Sequence, residues 1–268
     1  MRTWWARSTT ATSLAAGLLL GGTASAEYGL DRLAAALTRV APSLPQLDEG
    51  ALREACTSDL LCAARRVVAA WPDGARLEPV PHPDTEIIRL ARTPRSVTLV
   101  RRAPDGVLRV RLDGFGRRAM QEVRAALGLG ARIEALELDL RSNRGGSVRR
   151  MLEVAALFTG QRAEALRLVG RNGAVPLDLP PSTRAVRAGR LDVLIGPETA
   201  SSAEVLAALL RKHAGARLVG ARSFGKDWAE QAFPIDHRWR LWLGAGHIRI
   251  EGETLAGGLR PDLDQARP

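Results

Sequence analysis

The chain has 268 residues, enough for one large domain or for a domain with an appendage. Its apolar content of 46% is sufficient for a hydrophobic core and excludes intrinsic disorder. The formal charge of +10 is spread along the chain and aromatic residues make up only 4% of it, so the composition argues against a nucleic-acid partner.

The N terminus has the pattern of an export signal. Arg2 and Arg7 form a basic start, residues 11–20 are apolar, and Ala24-Ser25-Ala26 offers small residues for cleavage. The apolar run is short for a transmembrane helix. We therefore predict a signal peptide at 1–26 and a periplasmic or secreted mature chain, which would meet a membrane only if the signal stayed uncleaved.

Export makes the two cysteines, Cys56 and Cys62, candidates for a disulfide. In one continuous helix their Cα atoms would lie about 9 Å apart, beyond disulfide reach. The residues between them, Thr57-Ser58-Asp59, are typical of a helix N-cap, so one helix could end near Cys56 and another begin near Ser58. An oxidising compartment then favours a disulfide over two separately buried thiols.

Apolar spacing predicts an α/β domain preceded by a small helical segment. Residues 27–74 repeat at helical spacing, with Pro42 and Pro45 as a break. Residues 75–268 form the core, in which 170–190 is predicted to be a surface loop. The other core elements indicate a mixed sheet with helices against it: strands at 87–90, 97–100, 108–112, 133–140, 166–169, 193–195, 217–219, 232–235, 240–243 and 247–250, and helices at 115–127, 148–158 and 203–210.

Two residue types that can perform acyl transfer lie in the second half of the core. Ser201 and Ser202 stand between the strand at 193–195 and a helix, where the first backbone N–H groups of the helix are unpaired. Lys226 follows in a glycine-containing loop and is one of only two lysines among 39 basic residues. Arginine keeps its proton in proteins, whereas a desolvated lysine can become a neutral base. The simpler interpretation is a helix-capping serine and a solvated lysine.

A second informative stretch is Asp139–Ser147, D-L-R-S-N-R-G-G-S, between a strand and a helix. Its Gly145-Gly146 pair would present backbone N–H groups at close quarters, although most such pairs are only turns.

Other catalytic patterns find little support in the sequence. No G-x-S-x-G elbow or P-loop is present, and no cluster of histidines and cysteines has metal-ligand spacing. We therefore expect neither a metal nor a cofactor. Nor does a carboxylate stand at a recognisable spacing from any of the four histidines, His82, His213, His237 and His247.

Four segments, spanning about 107–264, resemble the C-terminal processing peptidases, also called tail-specific proteases, which are exported serine–lysine peptidases. In order these segments resemble the family blocks D-L-R-x-N-x-G-G, T-A-S-A-x-E, V-G-x-x-T-F-G-K and G-I-x-P-D. They read here as D-L-R-S-N-R-G-G, T-A-S-S-A-E, V-G-A-R-S-F-G-K and G-L-R-P-D.

The resemblance implies a crotonase-like layered fold and a serine endopeptidase that acts on protein or peptide substrates. It implies Ser201 as the nucleophile, three residues before the motif glutamate, and Lys226 as the general base. An oxyanion hole would come from Gly145 or Gly146 and from the N–H of Ser202.

The chain departs from the family pattern after the lysine. The family has a glutamine four residues later that orients the lysine, whereas this chain has Glu230 there and Gln231 one position beyond. An ionised Glu230 would favour the ammonium form of Lys226 and oppose its role as a base.

No substrate-recognising PDZ domain is evident in the sequence. Together with Glu230, this supports an alternative: a weak or inactive relative that binds peptides or a partner protein. A hydratase-like enzyme of the same fold would leave the serine–lysine pair unexplained.

Overall fold

A computed structural model describes residues 29–40, 47–71, 75–80, 95–128, 133–170, 173–181, 186–236 and 238–264. These residues form two β-sheets and six helices, which confirms a mixed α/β architecture with N-terminal helices. The helices are α1 Leu30–Val40, α2 Glu49–Cys56, α3 Leu60–Ala70, α4 Ala119–Leu127, α5 Val148–Thr159 and α6 Ser202–Ala214. The strands are β1 Ala75–Pro79, β2 Val97–Arg102, β3 Leu108–Leu112, β4 Ile133–Asp139, β5 Arg162–Gly170, β6 Gly173–Leu179, β7 Ala188–Ile195, β8 Arg217–Gly220, β9 Trp228–Pro234, β10 Trp239–Arg249 and β11 Leu263–Asp264.

The larger sheet has six strands in the order β11-β8-β7-β4-β3-β2. Its strands are parallel except for the β2–β3 pair. Helices α5 and α6 pack against each other in the main hydrophobic core, which also takes apolar side chains from both sheets. Every residue of α6 from Ser202 to Leu210 is buried, so this part of the helix is enclosed on all sides.

The second sheet is built around β10, which pairs antiparallel with β1, β5 and β9. Strand β6 lies at its edge beside β5. The prediction of a surface loop over 170–190 is therefore wrong, because β6 and the start of β7 fall inside that range. Pro176 obscures the strand in the sequence, but an edge strand tolerates a residue without an N–H donor.

Strand β10 is continuous, where the sequence predicted two strands at 240–243 and 247–250. Gly244 and Gly246 lie between those apolar runs, and the pairing with β9 shifts register there. A Cβ atom at Gly244 would lie 2.2 Å from the Trp228 ring, so the glycine allows the indole to lie across the strand.

The N-terminal helices form a second hydrophobic core against β9 and β10. Within it, α2 ends at Cys56 and α3 begins at Leu60, with the Asp59 side chain capping α3. The chain turns between the two helices and brings the Cα atoms of Cys56 and Cys62 to 5.6 Å, and the sulfurs form a disulfide. This confirms the predicted pairing.

Some predictions concern residues outside the described ranges: the signal peptide at 1–26 and the strand at 87–90. Within the part of the chain that the structure describes, no helix is both long enough and apolar enough to span a bilayer.

Candidate active site

The candidate residues lie on three loops at one edge of the larger sheet. Strands β4, β7 and β8 are parallel neighbours, so their carboxyl ends meet at the same edge. The loop 140–147 follows β4, 196–201 follows β7, and 221–227 follows β8. These loops carry the glycine pair, Ser201 and Lys226, and Ser202 begins α6 directly after the second loop. The fold thus brings together three segments that are distant in the chain. The edge beyond the carboxyl ends of parallel strands is a common place for binding sites.

Ser201 and Ser202 differ in exposure. Ser201 is half-buried and has a backbone conformation rare for an L-residue, with φ 56° and ψ −123°. Ser202 is only 1% exposed, and its Oγ donates a hydrogen bond of 3.0 Å to the carbonyl oxygen of Gly146. The Ser202 hydroxyl thus fastens α6 to the glycine pair, which leaves Ser201 as the better candidate for the nucleophile.

Thr199 supports the loop before Ser201. It is fully buried, and its Oγ1 donates to the carbonyl oxygen of Leu140 over 2.9 Å. The same Oγ1 accepts a hydrogen bond of 2.9 Å from the backbone N–H of Gly196. One threonine side chain therefore connects the loop after β7 to the loop after β4.

The carboxylate of Glu204 joins the serine loop to the lysine loop. Glu204 is fully buried on the first turn of α6. Its Oε2 accepts the backbone N–H groups of Ser201 and Lys226, each over 2.8 Å. The two backbone nitrogens therefore lie within about 6 Å of each other. Its Oε1 accepts the Ser223 hydroxyl over 2.5 Å and the Gly225 N–H over 2.6 Å.

Glu204 was not identified as a site residue from the sequence. Its spacing of three from Ser201 matches a capping box, the signal that could have revealed its contact with Ser201. The bonds to residues 223–226 depend on the approach of a distant loop and leave no local signal.

Lys226 lies partly buried beside Glu230. Its Nζ donates a hydrogen bond of 2.7 Å to Glu230 Oε2, and the side chain is 37% exposed. Burial lowers the pKa of Lys226 below the usual lysine value, and the positive charge of Arg76 lowers the pKa further. Of the two residues considered for orienting the lysine, Glu230 makes the contact, whereas Gln231 occupies the strand position opposite Leu243.

The glycine pair lies directly against the serine loop. Gly145 and Gly146 have φ values of 99° and 137°, which glycine adopts readily. A Cβ atom at Gly145 would lie 3.0 Å from Ser201 Cβ and 3.1 Å from the backbone nitrogen of Ser202. The absence of a side chain at Gly145 therefore keeps the space around the Ser202 N–H open.

Asn143 holds the glycine turn in place. It is fully buried, and its Oδ1 accepts the N–H of Gly145 over 2.8 Å. Its carbonyl oxygen accepts the N–H of Ala200 over 3.1 Å, and its Nδ2 donates to the carbonyl oxygen of Leu112 over 2.9 Å. Because the Gly145 N–H already has a partner, Gly146 is the better candidate of the pair for an oxyanion donor.

A histidine does meet a carboxylate next to the lysine, contrary to the expectation from spacing. His247 Nδ1 lies 2.9 Å from Asp227 Oδ2, which also accepts Arg249 Nη1 over 2.6 Å. Burial raises the pKa of Asp227, but the hydrogen bonds from Arg249 and His247 outweigh it and keep that pKa below the usual value. The pair was missed because its residues are 20 positions apart, with Asp227 just before β9 and His247 on β10.

The other histidines do not extend this pair. His213 lies in the last turn of α6, at the opposite end from Ser201. His82 and His237 lie outside the described residues. Across the described ranges, no group of three or more histidine, cysteine, aspartate or glutamate side chains is arranged to hold a metal ion.

Sequence comparison identifies relatives over the part of the chain that carries the site. The model of peptidase family S41 matches residues 106–264. The chloroplastic carboxyl-terminal-processing peptidase 1 of Arabidopsis thaliana is 27% identical over 132 residues, which are 47% of this chain and 26% of that protein. The carboxy-terminal processing protease CtpA of Bacillus subtilis is 30% identical over 133 residues, which are 49% of this chain and 28% of that protein. The chain thus matches less than a third of the length of either relative.

Solved structures with similar folds cover more of the chain. A lipoprotein from Streptococcus agalactiae superposes with a TM-score of 0.60 at 14% identity and covers 91% of this chain and 95% of that one. A putative S41 protease from Bacteroides fragilis superposes with a TM-score of 0.53 at 19% identity and covers 64% of this chain and 51% of that one. At these identities the similarity shows the fold alone.

Proposed function

Because the chain belongs to peptidase family S41, a family of serine peptidases, we propose that it is a serine endopeptidase with a Ser201–Lys226 dyad. The observation that carries this proposal is the shared carboxylate of Glu204, which ties the backbones of Ser201 and Lys226 together at the sheet edge. The lowered pKa of Lys226 supports its role as a base, because a lysine must be neutral to accept a proton.

In the proposed reaction, neutral Lys226 accepts the hydroxyl proton of Ser201 while Oγ attacks the carbonyl carbon of a peptide bond. The negative charge that develops on the carbonyl oxygen is stabilised by the N–H groups of Ser202 and Gly146. The tetrahedral intermediate then collapses, and Lys226 returns the proton to the departing amine. A water molecule hydrolyses the acyl-enzyme by the same steps, and the carboxylic acid product leaves Ser201 free.

The expected substrate is an unfolded protein or a peptide, as for the processing peptidases that the chain resembles in sequence. We also propose that residues 1–26 direct the chain to the periplasm or the exterior. The disulfide between Cys56 and Cys62 supports this location, because such bonds persist in oxidising compartments.

The test is hydrolysis of fluorescein-labelled casein by the purified chain and its variants. We expect kcat/KM to fall at least about 1,000-fold in Ser201→Ala and at least about 100-fold in Lys226→Ala. Ser202→Ala keeps its backbone N–H and should lose less than about tenfold, since only a hydrogen bond to Gly146 is removed. Lys212→Ala changes the only other lysine of the chain and serves as the matched control. Full activity in Ser201→Ala would overturn the proposal.

A second candidate function is peptide or partner binding without catalysis. The ion pair between Lys226 and Glu230 favours it, because a neighbouring carboxylate stabilises the ammonium form. In that case wild-type protein would bind unfolded casein in a pull-down yet leave it intact, and Ser201→Ala would bind equally well.

A further inference from the structure

Three charged side chains in contact connect the N-terminal part of the protein to the candidate base. Arg76 on β1 donates from Nη1 to Glu230 Oε1, while Lys226 donates from Nζ to the other oxygen, Oε2, over 2.7 Å. The Glu230 side chain is only 19% exposed. The carboxylate therefore serves two cations at once, one on each oxygen.

The second sheet fixes Arg76 in this position. Strand β1 pairs with β10 so that Arg76 lies opposite Trp242, and the guanidinium carbon is 4.9 Å from the centre of the Trp242 ring. The indole Nε1 donates in turn to Glu78 on the same strand as Arg76. On the other side of β10, Glu230 lies opposite Gly244. Arg76 thus lies over the face of the Trp242 ring, and this cation–π contact holds the guanidinium in place.

The surrounding charges give Arg76 an electrostatic effect on Lys226. Glu204 faces the backbone N–H of Lys226, and the Asp227 carboxylate is engaged by His247 and Arg249. Glu230 is thus the carboxylate that holds the Lys226 amine. Left alone with that amine, it would favour the ammonium form, whereas a second cation on the same carboxylate weakens this attraction and repels the ammonium.

We propose that Arg76 and Glu230 together are the positioning pair of Lys226, in which Glu230 orients the amine and Arg76 offsets the charge of Glu230. This rests on the proposed function, in which Lys226 must lose its proton. It also explains how Glu230 can stand where the family has a glutamine. A glutamate whose charge is offset by an arginine can orient the lysine as a neutral glutamine would. The balancing charge comes from β1, outside the segment that matches the family.

The presence of only two lysines allows a direct test. In protein labelled with ¹³C at lysine Cε, NMR titration should follow Lys212 and Lys226 separately, and Lys212→Arg assigns the two signals. Arg76→Gln should raise the pKa of Lys226 by about one unit, and Glu230→Gln should lower it by a similar amount. Arg76→Lys keeps the positive charge and should leave the pKa of Lys226 close to the wild-type value; it adds a third lysine signal, which is recognised by its absence from the wild-type spectrum. The Lys212 signal is the internal control.

The same shifts should appear in catalysis as movements of the acid limb of the kcat/KM profile: to higher pH in Arg76→Gln and to lower pH in Glu230→Gln. A merely structural role would reduce activity without moving the limb. A Lys226 pKa that stays within 0.3 units in both variants would overturn the proposal. If Arg76→Gln does not fold, Glu230→Gln still tests the proposal. Without the negative charge of Glu230, the positive charge of Arg76 must lower the pKa of Lys226. NMR shifts as expected in a protein without hydrolytic activity would refute the proposed function and leave the positioning pair intact.

Discussion

At the scale of single residues, Glu204 determines more of the site than its place in a helix suggests. It is a buried carboxylate with four donors and no cation among its hydrogen-bond partners in the described residues. Backbone N–H groups and a hydroxyl therefore stabilise its charge. Because two of these donors are the backbone N–H groups of Ser201 and Lys226, the geometry of the proposed dyad depends on one side chain that binds the backbones of both residues.

Glu204→Gln tests this dependence. An amide presents one oxygen and one NH₂ group, so two of the four donors would face another donor. We expect the free energy of unfolding to fall by about 3 kcal/mol and hydrolysis to fall with it. Urea denaturation measures the first effect and casein cleavage the second.

Glu198→Gln is the matched control for that substitution. Glu198 lies three residues before Ser201, is 54% exposed and forms a surface ion pair with Arg144. Its replacement should change stability by less than about 0.5 kcal/mol. Equal stability of Glu204→Gln and wild type would contradict the proposed role of Glu204.

At the scale of elements, the site depends on turns that follow parallel strands. The Gly145-Gly146 turn after β4 lies against Ser201 because its first glycine has no Cβ atom. Gly160 ends α5 with a similar positive φ of 74°, but a Cβ atom there would have no neighbour within 4 Å. The two glycines thus separate the cost of backbone strain from the cost of blocking the site.

We expect Gly145→Ala to lower kcat/KM at least about 100-fold, because the new methyl group would crowd Ser201 and the Ser202 N–H. Both substitutions place an alanine at a positive φ and should lower the free energy of unfolding by about 1–3 kcal/mol. Gly160→Ala should nevertheless keep its activity. Thermal melts and casein hydrolysis of both variants provide the measurements. Gly145→Ala with undiminished activity would show that the oxyanion donors lie elsewhere.

The sequence predicted those elements whose signals are local. The apolar run of β7, the periodic helix α6 and the glycine turn at 145–146 each follow from neighbouring residues. Strand β6 was missed because Pro176 and the charged residues after it suggest a loop, and only pairing with β5 makes it a strand. The contact between Arg76 and Glu230 was missed for the same reason, since it joins strands 154 positions apart in the chain.

At the scale of the whole molecule, the N-terminal helices are part of the folded unit. Their core includes Phe233 from β9, the strand that carries Glu230, and Leu241 and Leu243 from β10, which lies between β9 and the strand of Arg76. The disulfide closes a short loop between α2 and α3 in this core. Its contribution should therefore affect the stability of the N-terminal helices rather than the geometry of the sheet edge.

The double variant Cys56→Ser/Cys62→Ser tests this separation. Loss of a disulfide around so short a loop should cost about 2 kcal/mol. For a chain of this size that corresponds to a fall in Tm of about 4–8 °C, measured by calorimetry. Casein hydrolysis at 25 °C should stay within about twofold of wild type, since the folded population remains dominant. A loss of activity without a change in Tm would instead connect the disulfide to the site.

The parallel arrangement of β4, β7 and β8 also determines when, during folding, the proposed dyad comes together. The loop 196–201 and the loop 221–227 reach each other only after strands that are distant in the sequence have paired. Pairing of this kind is a slow step in folding. Until β8 joins the sheet, Glu204 cannot accept the backbone N–H of Lys226, and the proposed base is absent from the neighbourhood of Ser201. On the proposed function, an incompletely folded chain is therefore inactive, and proteolysis would begin only with the completed fold.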